Sequence, residues 1–110
     1  MKVIKISGKV LKGAGYGKQL GFPTVNLEIG AQILPREGVY AGEGELEGKK
    51  YRAGIVVGPG EKLEAHLIGY KGDAYGKEIT LEINKFLRDF KNFENEEELI
   101  NQIKKDLEKC

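Results

Sequence analysis

The spacing of apolar and polar residues predicts short β-strands over most of the chain. Between residues 4 and 10, isoleucine, glycine and valine alternate with lysine and serine, which is the period-two pattern of a half-buried strand. Residues 38–47 and 50–57 are also strand-like, and they flank the turn residues Glu47-Gly48-Lys49. This arrangement predicts a β-hairpin.

Residues 62–70 and 77–87 are a second strand-like pair, separated by Lys71-Gly72-Asp73-Ala74-Tyr75-Gly76. Glycine and aspartate are typical turn residues, so we expect these two strands to form another hairpin. The chain then has five or six short strands. A small closed barrel is the arrangement that leaves none of them with a long unpaired edge.

The last part of the chain has a helical pattern. Asn95 followed by Glu98 is an N-cap and capping-box signal. The apolar residues that follow recur at helical spacing: Leu99, Ile100, Ile103 and Leu107. Acidic residues at the start and lysines near the end suit the helix dipole. We expect one C-terminal α-helix whose apolar stripe packs on the sheet.

Composition limits the class of protein. The 110 residues suit one domain with a modest core, and 16 glycines against 3 prolines indicate many tight turns. A formal charge of +1 provides no field that would favour nucleic acid. The single cysteine, Cys110, suits a reducing compartment, and residues 1–10 resemble neither a signal peptide nor a membrane anchor. We expect residues 1–110 to form a single cytoplasmic domain, a monomer that binds neither membrane nor nucleic acid.

Residues 13–26, which read GAGYGKQLGFPTVN, are the first candidate site. Gly13, Gly15 and Gly17 let consecutive backbone N–H groups face an anion, and Lys18 adds a mobile positive charge. The segment matches neither the dinucleotide nor the Walker A consensus. Both a nucleotide-phosphate site and a flexible loop between two strands fit these glycines.

Two oxygen donors follow in the same segment. Thr24 offers a hydroxyl and Asn26 a side-chain carbonyl, on the same side of an extended stretch. Mg²⁺ accepts such hard oxygen ligands while it keeps waters and nucleotide phosphates. Thr24 and Asn26 are therefore candidate metal ligands.

Glu64 and His66 are the candidate catalytic groups. In the strand at residues 62–70, alternation places them on one face and Leu63, Ala65 and Leu67 on the other. A carboxylate held on a strand can accept a proton from a hydroxyl with the positional precision that general-base catalysis needs. A solvated glutamate and a structural histidine are the alternative interpretation of the same residues.

Five segments together resemble the riboflavin kinase family in order and spacing over nearly the whole chain. They are LGFPTVNL at 20–27, LPREGVYA at 34–41, LEAHLIGY at 63–70, YGKEITLEI at 75–83 and FLRDFKNFENEEELINQIKKDL at 86–107. The resemblance implies a mainly β fold, a six-stranded antiparallel Greek-key barrel with one C-terminal α-helix. It implies Mg²⁺-dependent transfer of the γ-phosphate of a nucleoside triphosphate, with ATP the expected donor, to the 5′-hydroxyl of riboflavin, giving FMN.

The same resemblance implies roles for individual residues. The nucleotide-binding residues would be Gly13, Gly15, Gly17, Lys18 and Thr24. The metal ligands would be Thr24 and Asn26, the catalytic base would be Glu64, and His66 would support it. Residues 87–93 correspond to a flap near the flavin, where Arg88 or Phe93 is expected to contact the isoalloxazine. Alternatively, Phe90 and Phe93 seat the helix on the barrel.

Three features depart from the family pattern. Residues 54–60 are shorter than the usual loop and lack its Asn-x-Gly element, the glycine segment is one residue shorter, and Asp89 replaces the usual proline. Bacterial relatives usually carry an N-terminal adenylyltransferase domain that makes FAD, so this chain is expected to stop at FMN. Both a free-standing kinase and a domain of a longer chain fit the sequence.

Two other functions remain as alternatives. The shortened loop also fits a non-catalytic protein that binds flavin or nucleotide on the same barrel. A small barrel with Tyr40, Tyr51 and Tyr70 on its strands also fits a single-stranded nucleic-acid binder, in which bases stack on the rings. Flavin binding without consumption of nucleotide would identify the first, and strongly salt-dependent oligonucleotide binding the second.

Overall fold

A computed structural model describes residues 4–11 and 22–110, and this part of the chain contains six strands and one helix. The elements are β1 (Ile4–Leu11), β2 (Val25–Leu27), β3 (Gly38–Leu46), β4 (Lys49–Gly58), β5 (Lys62–Leu67), β6 (Glu78–Arg88) and α1 (Glu96–Glu108). Every described strand pair is antiparallel. No helix among the described residues is long and apolar enough to cross a membrane.

The six strands close into a barrel in the order β1-β2-β5-β4-β3-β6. The consecutive strands β3, β4 and β5 are neighbours, and β6 returns to lie beside β3, which is the Greek-key arrangement. The barrel has no free sheet edge. The predicted fold class, a mainly β six-stranded Greek-key barrel with a C-terminal helix, is confirmed.

The first predicted hairpin is confirmed, with β3 ending at Leu46 and β4 beginning at Lys49. The two residues between the strands, Glu47 and Gly48, both have positive φ angles of 52° and 80°. Positive φ at both central positions is the geometry of a type I′ turn, whose twist matches that of the flanking strands. This short turn fixes the register of the β3–β4 pair.

The second predicted hairpin is wrong, because β5 and β6 do not pair with each other. β5 pairs with β2 and β4, whereas β6 pairs with β1 and β3. The connection between them packs against the barrel: Ala74 is buried, and Val10 exchanges hydrogen bonds with Lys77 and Gly76. Glycine and aspartate occur both in tight turns and in longer connections, so the composition of residues 71–76 did not distinguish the two.

The core fills the inside of the barrel with side chains from alternate strand positions. The largest fully buried ones are Ile6, Leu46, Ile55, Val57, Leu63, Ile79 and Leu81. Tyr40 also lies inside, where its hydroxyl donates to the carbonyl oxygen of Arg36 at 2.6 Å and burial raises the pKa of its phenol. Because alternate residues of each strand point into this core, the residues between them point outward, where they are accessible to a ligand.

The helix begins as predicted, with the Asn95 side chain accepting a hydrogen bond from the Glu98 backbone N–H at 2.9 Å. It lies against the outer face of β4, where a Cβ on Gly54 would stand 3.1 Å from Leu107 Cδ2. The expected packing of its apolar stripe on the sheet is only partial, because the stripe residues are half-buried. Leu99, Ile103 and Leu107 line a groove between the helix and the barrel.

Candidate active site

The groove lies on the outer face of the barrel and has a volume of about 1430 Å³. Outward residues of β2, β5 and β4 line one side of it. Residues 90–93 and α1 line the other side. The barrel therefore presents a rigid floor, and the C-terminal segment presents a wall.

Strand register places the two main candidate residues side by side on this floor. Asn26 of β2 lies directly opposite Glu64 of β5, which in turn lies opposite Val56 of β4. Residues directly opposite in an antiparallel pair project from the same face, with Cβ atoms about 5 Å apart. The structure thus brings together the predicted metal ligand Asn26 and the predicted base Glu64.

The same row continues across all six strands. Leu11 lies opposite Asn26, and Val39 lies opposite both Val56 and Arg88. The six residues of the row all line the groove: Leu11, Asn26, Glu64, Val56, Val39 and Arg88. Two register shifts in the β3–β6 pair set the alignment of Arg88 with Val39. We call this set the site row.

Glu64 is half-buried and is held by its strand neighbours. Leu63 and Ala65 on either side of it are 1% exposed and point into the core, so alternation directs Glu64 outward. Neither salt bridge within the described residues involves Glu64. Its carboxylate has no cationic partner in this part of the chain, which suits a group that accepts a proton from a ligand.

His66 is the next outward residue on β5 and contacts the segment before β2. Its Nδ1 lies 2.7 Å from the carbonyl oxygen of Pro23, and its ring meets the ring of Phe22 edge to face, 6.0 Å between centroids. A carbonyl oxygen only accepts, so Nδ1 carries the proton and donates. His66 is therefore bonded to the segment that leads to Thr24 and Asn26.

The oxygen donors fit a magnesium ion that also binds nucleotide phosphates. Among the described residues, no group of three or more His, Cys, Asp or Glu side chains is placed to hold a metal. Thr24 and Asn26 line the groove and supply one hydroxyl and one amide carbonyl. Mg²⁺ is commonly bound by one or two protein oxygens together with waters and substrate phosphates, and this donor set meets that requirement.

The wall of the groove carries two aromatic rings. Phe90 lies near β4, where a Cβ on Gly58 would stand 3.5 Å from its ring. Phe93 is half-buried, and the Arg88 guanidinium lies 5.8 Å and the Lys91 ammonium 5.3 Å from its ring centroid. With Leu99, Ile103 and Leu107, these rings form a surface suited to a flat apolar ligand.

A sequence model of the family described as "Flavokinase: Riboflavin kinase" matches residues 1–110. The chain belongs to the riboflavin kinase family. It is 36% identical over 109 residues to the bifunctional riboflavin kinase/FMN adenylyltransferase of Escherichia coli K12, with 92% of this chain and 35% of that protein covered. The chain thus spans about a third of the length of such curated relatives.

Solved structures agree with the fold. A Streptococcus pneumoniae structure named as a macrolide-efflux protein superposes with a TM-score of 0.87 at 28% identity, covering 94% of this chain and 37% of that one. The riboflavin kinase of Trypanosoma brucei superposes with a TM-score of 0.75 at 22% identity, covering 98% and 74% of the two chains. The second likeness supports the barrel fold alone.

Arg88, which is a predicted flavin ligand, forms an ion pair with Asp106 of α1. Its Nη2 lies 2.8 Å from Oδ2, its Nε lies 3.0 Å from Oδ1, and its Nη1 donates to the carbonyl of Asp89 at 3.0 Å. Asp106 is 6% exposed and also accepts from Gln102. This geometry gives Arg88 a structural task at the end of the groove, and flavin contact by Arg88 or Phe93 stays a prediction.

Asp106 is the residue of this site that the sequence interpretation missed. It falls on the same helical face as Leu99 and Ile103, at spacings of seven and three residues. An acidic residue on an otherwise apolar helix face signals a buried partner, because an unpaired buried charge is costly. The sequence did not indicate that the partner is Arg88.

Gly13, Gly15, Gly17 and Lys18 lie outside the described residues, so their role in nucleotide binding stays a prediction. The tyrosines of the nucleic-acid alternative are described. Tyr40 is 6% exposed, and Tyr51 and Tyr70 contact each other edge to face, 5.4 Å between centroids. These three rings do not form one exposed surface on which bases could stack.

Proposed function

We propose that this domain is a riboflavin kinase that transfers the γ-phosphoryl group of a nucleoside triphosphate to the 5′-hydroxyl of riboflavin. The observation that carries this proposal is the pairing of Asn26 and Glu64 on the floor of a groove whose opposite wall includes aromatic and aliphatic side chains. Family membership supports the same activity. The family model that matches residues 1–110 is described as a riboflavin kinase, and the kinase reaction is the one that we propose for these residues.

The two sides of the groove match the two parts of riboflavin. The isoalloxazine is flat and largely apolar, and we place it against the wall formed by Phe93 and the half-buried stripe of α1. The ribityl chain then extends along the floor toward Glu64. This orientation places the 5′-hydroxyl beside Asn26 and Glu64 of the site row.

Glu64 acts as the general base in this proposal. The hydroxyl oxygen forms a bond to the γ-phosphorus while the bond between that phosphorus and the bridging oxygen breaks. The nucleoside diphosphate leaves with the electron pair, and the hydroxyl proton passes to the Glu64 carboxylate. Phosphoryl transfer depends mainly on positioning and charge neutralisation, so a single carboxylate is sufficient.

Thr24 and Asn26 would hold Mg²⁺ together with the nucleotide phosphates. When bound, the ion neutralises phosphate charge. Asn26 fixes an oxygen donor next to Glu64, and Thr24 offers a second donor from the segment tied to His66. Gly13, Gly15, Gly17 and Lys18 would complete the nucleotide site, with ATP as the donor and ADP as the product.

The test is chromatographic detection of FMN after incubation of the pure domain with riboflavin, Mg²⁺ and ATP, CTP, GTP or UTP in turn. We expect FMN, without FAD, from at least one donor. Riboflavin binding without FMN from any donor would refute the kinase and support a non-catalytic flavin-binding protein.

Glu64→Gln tests the base. We expect a loss in kcat of roughly 100-fold or more, the usual contribution of a general base, with riboflavin affinity largely retained. Glu82→Gln is the matched control, because Glu82 is also a half-buried outward glutamate but lies on β6 opposite Lys5 and Glu43, away from the groove. Near wild-type turnover of Glu64→Gln would exclude Glu64 as the base.

A further inference from the structure

The hydrogen bond between His66 and Pro23 connects the strand that carries the base to the segment that carries the oxygen donors. Nδ1 of His66 lies 2.7 Å from the Pro23 carbonyl oxygen. His66 and Glu64 project from the same face of β5, two residues apart. Pro23 immediately precedes Thr24 and is three residues before Asn26. One side chain thus links the two halves of the polar site.

The segment before β2 has few other attachments through strand pairing. β2 is three residues long, and its register with β5 consists of two pairs, Val25 with Ala65 and Asn26 with Glu64. Residues 22–24 lie outside the strand. Because residues 22–24 lie before the strand ladder, a side-chain hydrogen bond there adds to their local order.

The other end of this hydrogen bond is rigid. Ala65 and Leu67, which flank His66 on β5, are 1% and 4% exposed and are packed in the core. The ring of Phe22 packs edge to face against the imidazole, which restricts rotation of the histidine. The position of His66 is therefore set by the barrel, and His66 transmits that position to residues 22–24.

We propose that His66 is a positioning residue that holds Thr24 next to the strand-paired Asn26 and Glu64 by donating its Nδ1–H to the Pro23 carbonyl. This inference rests on the proposed function, in which Thr24 and Asn26 bind the magnesium–nucleotide complex. It assigns His66 no contact with substrate and no proton transfer. Its loss should weaken binding of the magnesium–nucleotide complex much more than binding of riboflavin.

Three substitutions separate the hydrogen bond from the bulk of the ring. In His66→Asn, the side-chain amide nitrogen lies near the position of the imidazole Nδ1, so the donor is retained. In His66→Gln, the amide lies near the position of Nε2, and in His66→Ala the donor is absent. His66 is half-buried on the outer face of the barrel, so none of these changes opens the core.

The measurements are calorimetric titration with Mg²⁺ and a non-hydrolysable ATP analogue, and titration of riboflavin by its fluorescence. We expect His66→Ala and His66→Gln to raise the Kd of the magnesium–nucleotide complex by about tenfold, the net effect of losing one hydrogen bond. The Kd for riboflavin should change by less than about twofold, and His66→Asn should restore nucleotide binding. Thermal unfolding of all four proteins shows whether the barrel remains intact.

Three results would overturn the inference: nucleotide binding by His66→Ala at the wild-type level, no rescue by His66→Asn, or parallel loss of nucleotide and riboflavin binding. The proposed function fails separately, when wild-type protein binds both ligands but makes no FMN. A wild-type protein that binds no magnesium–nucleotide complex overturns both.

Discussion

At the scale of single residues, the chemistry depends on which face of a strand a side chain occupies. Glu64 is outward because Leu63 and Ala65 on either side of it are core residues, and this alternation was visible in the sequence. The proximity of Asn26 to Glu64 was not visible, because it depends on the pairing of β2 with β5, two strands that are not consecutive in the chain. Sequence analysis identified both residues and only the structure placed them together.

Asn26→Ala tests the predicted metal ligand. Loss of its carbonyl oxygen should raise the Mg²⁺ concentration needed for half-maximal FMN formation by about tenfold, since contacts to charged groups are worth roughly twice a neutral hydrogen bond. Asn101→Ala, at an exposed position on α1, is the control. An unchanged magnesium dependence in Asn26→Ala would rule out this role.

Gly42 tests the packing of the barrel wall. A Cβ at this position would overlap the backbone carbonyl oxygen of Glu82 and lie 2.8 Å from Ile55 Cδ1. Because the obstacle is backbone, we expect Gly42→Ala to lower the free energy of unfolding by about 2 kcal/mol or more. Gly58→Ala is the control, since its Cβ would make an ordinary 3.5 Å contact with Phe90. Urea denaturation measures both, and equal midpoints would contradict the steric argument.

At the scale of elements, the sequence predicted the features that depend on residues adjacent in the chain. It did not predict the contacts between segments that are distant in the chain. The β3–β4 turn and the start of α1 were predicted, because each depends on residues adjacent in the chain. The prediction that β5 pairs with β6 was wrong, because a connection that crosses the end of the barrel has the same residue types as a tight turn. The attachment of α1 depends on Arg88 and Asp106, which are distant in sequence and carry no mutual signal.

Asp106→Asn tests how the helix is attached to the barrel. The Arg88–Asp106 pair has side-chain exposures of 23% and 9%, so removing the carboxylate leaves a largely desolvated guanidinium. We expect a loss of about 3 kcal/mol in the free energy of unfolding, as for other buried pairs broken on one side. Riboflavin affinity should also fall, because α1 forms the wall of the groove.

The Lys77–Glu47 ion pair is the matched comparison for this prediction. Its side chains are 42% and 61% exposed, although its N–O distance of 2.7 Å is shorter than that of the buried pair. Exposed pairs contribute little because water screens them. Glu47→Gln should therefore leave both the unfolding midpoint and riboflavin binding unchanged, and a loss equal to that of Asp106→Asn would refute the distinction between the two pairs.

At the scale of the whole molecule, the two sides of the barrel differ in character. Away from the groove, a cross-strand row of charged residues runs through Lys5, Glu82, Glu43 and Arg52. In this row Glu82 lies opposite Lys5, and Glu43 lies opposite Arg52. The charges are therefore balanced locally as well as in the formal total of +1. The site row instead carries Glu64, which has no cationic partner among the residues that the structure describes. The near-neutral net charge can be counted from the sequence. The separation of the charged row and the site row onto two sides of the molecule follows from closure of the barrel.

The site row also means that the proposed activity depends on correct pairing of every strand in the barrel. Its six residues come from six strands, and they align only when five separate strand registers are correct at the same time. A slip of one residue in β5 would turn Glu64 into the core and Ala65 out into the groove. In the proposed mechanism, a chain with most of its strands formed but one pair misaligned would lack the proposed base, so partially folded forms would be inert rather than weakly active.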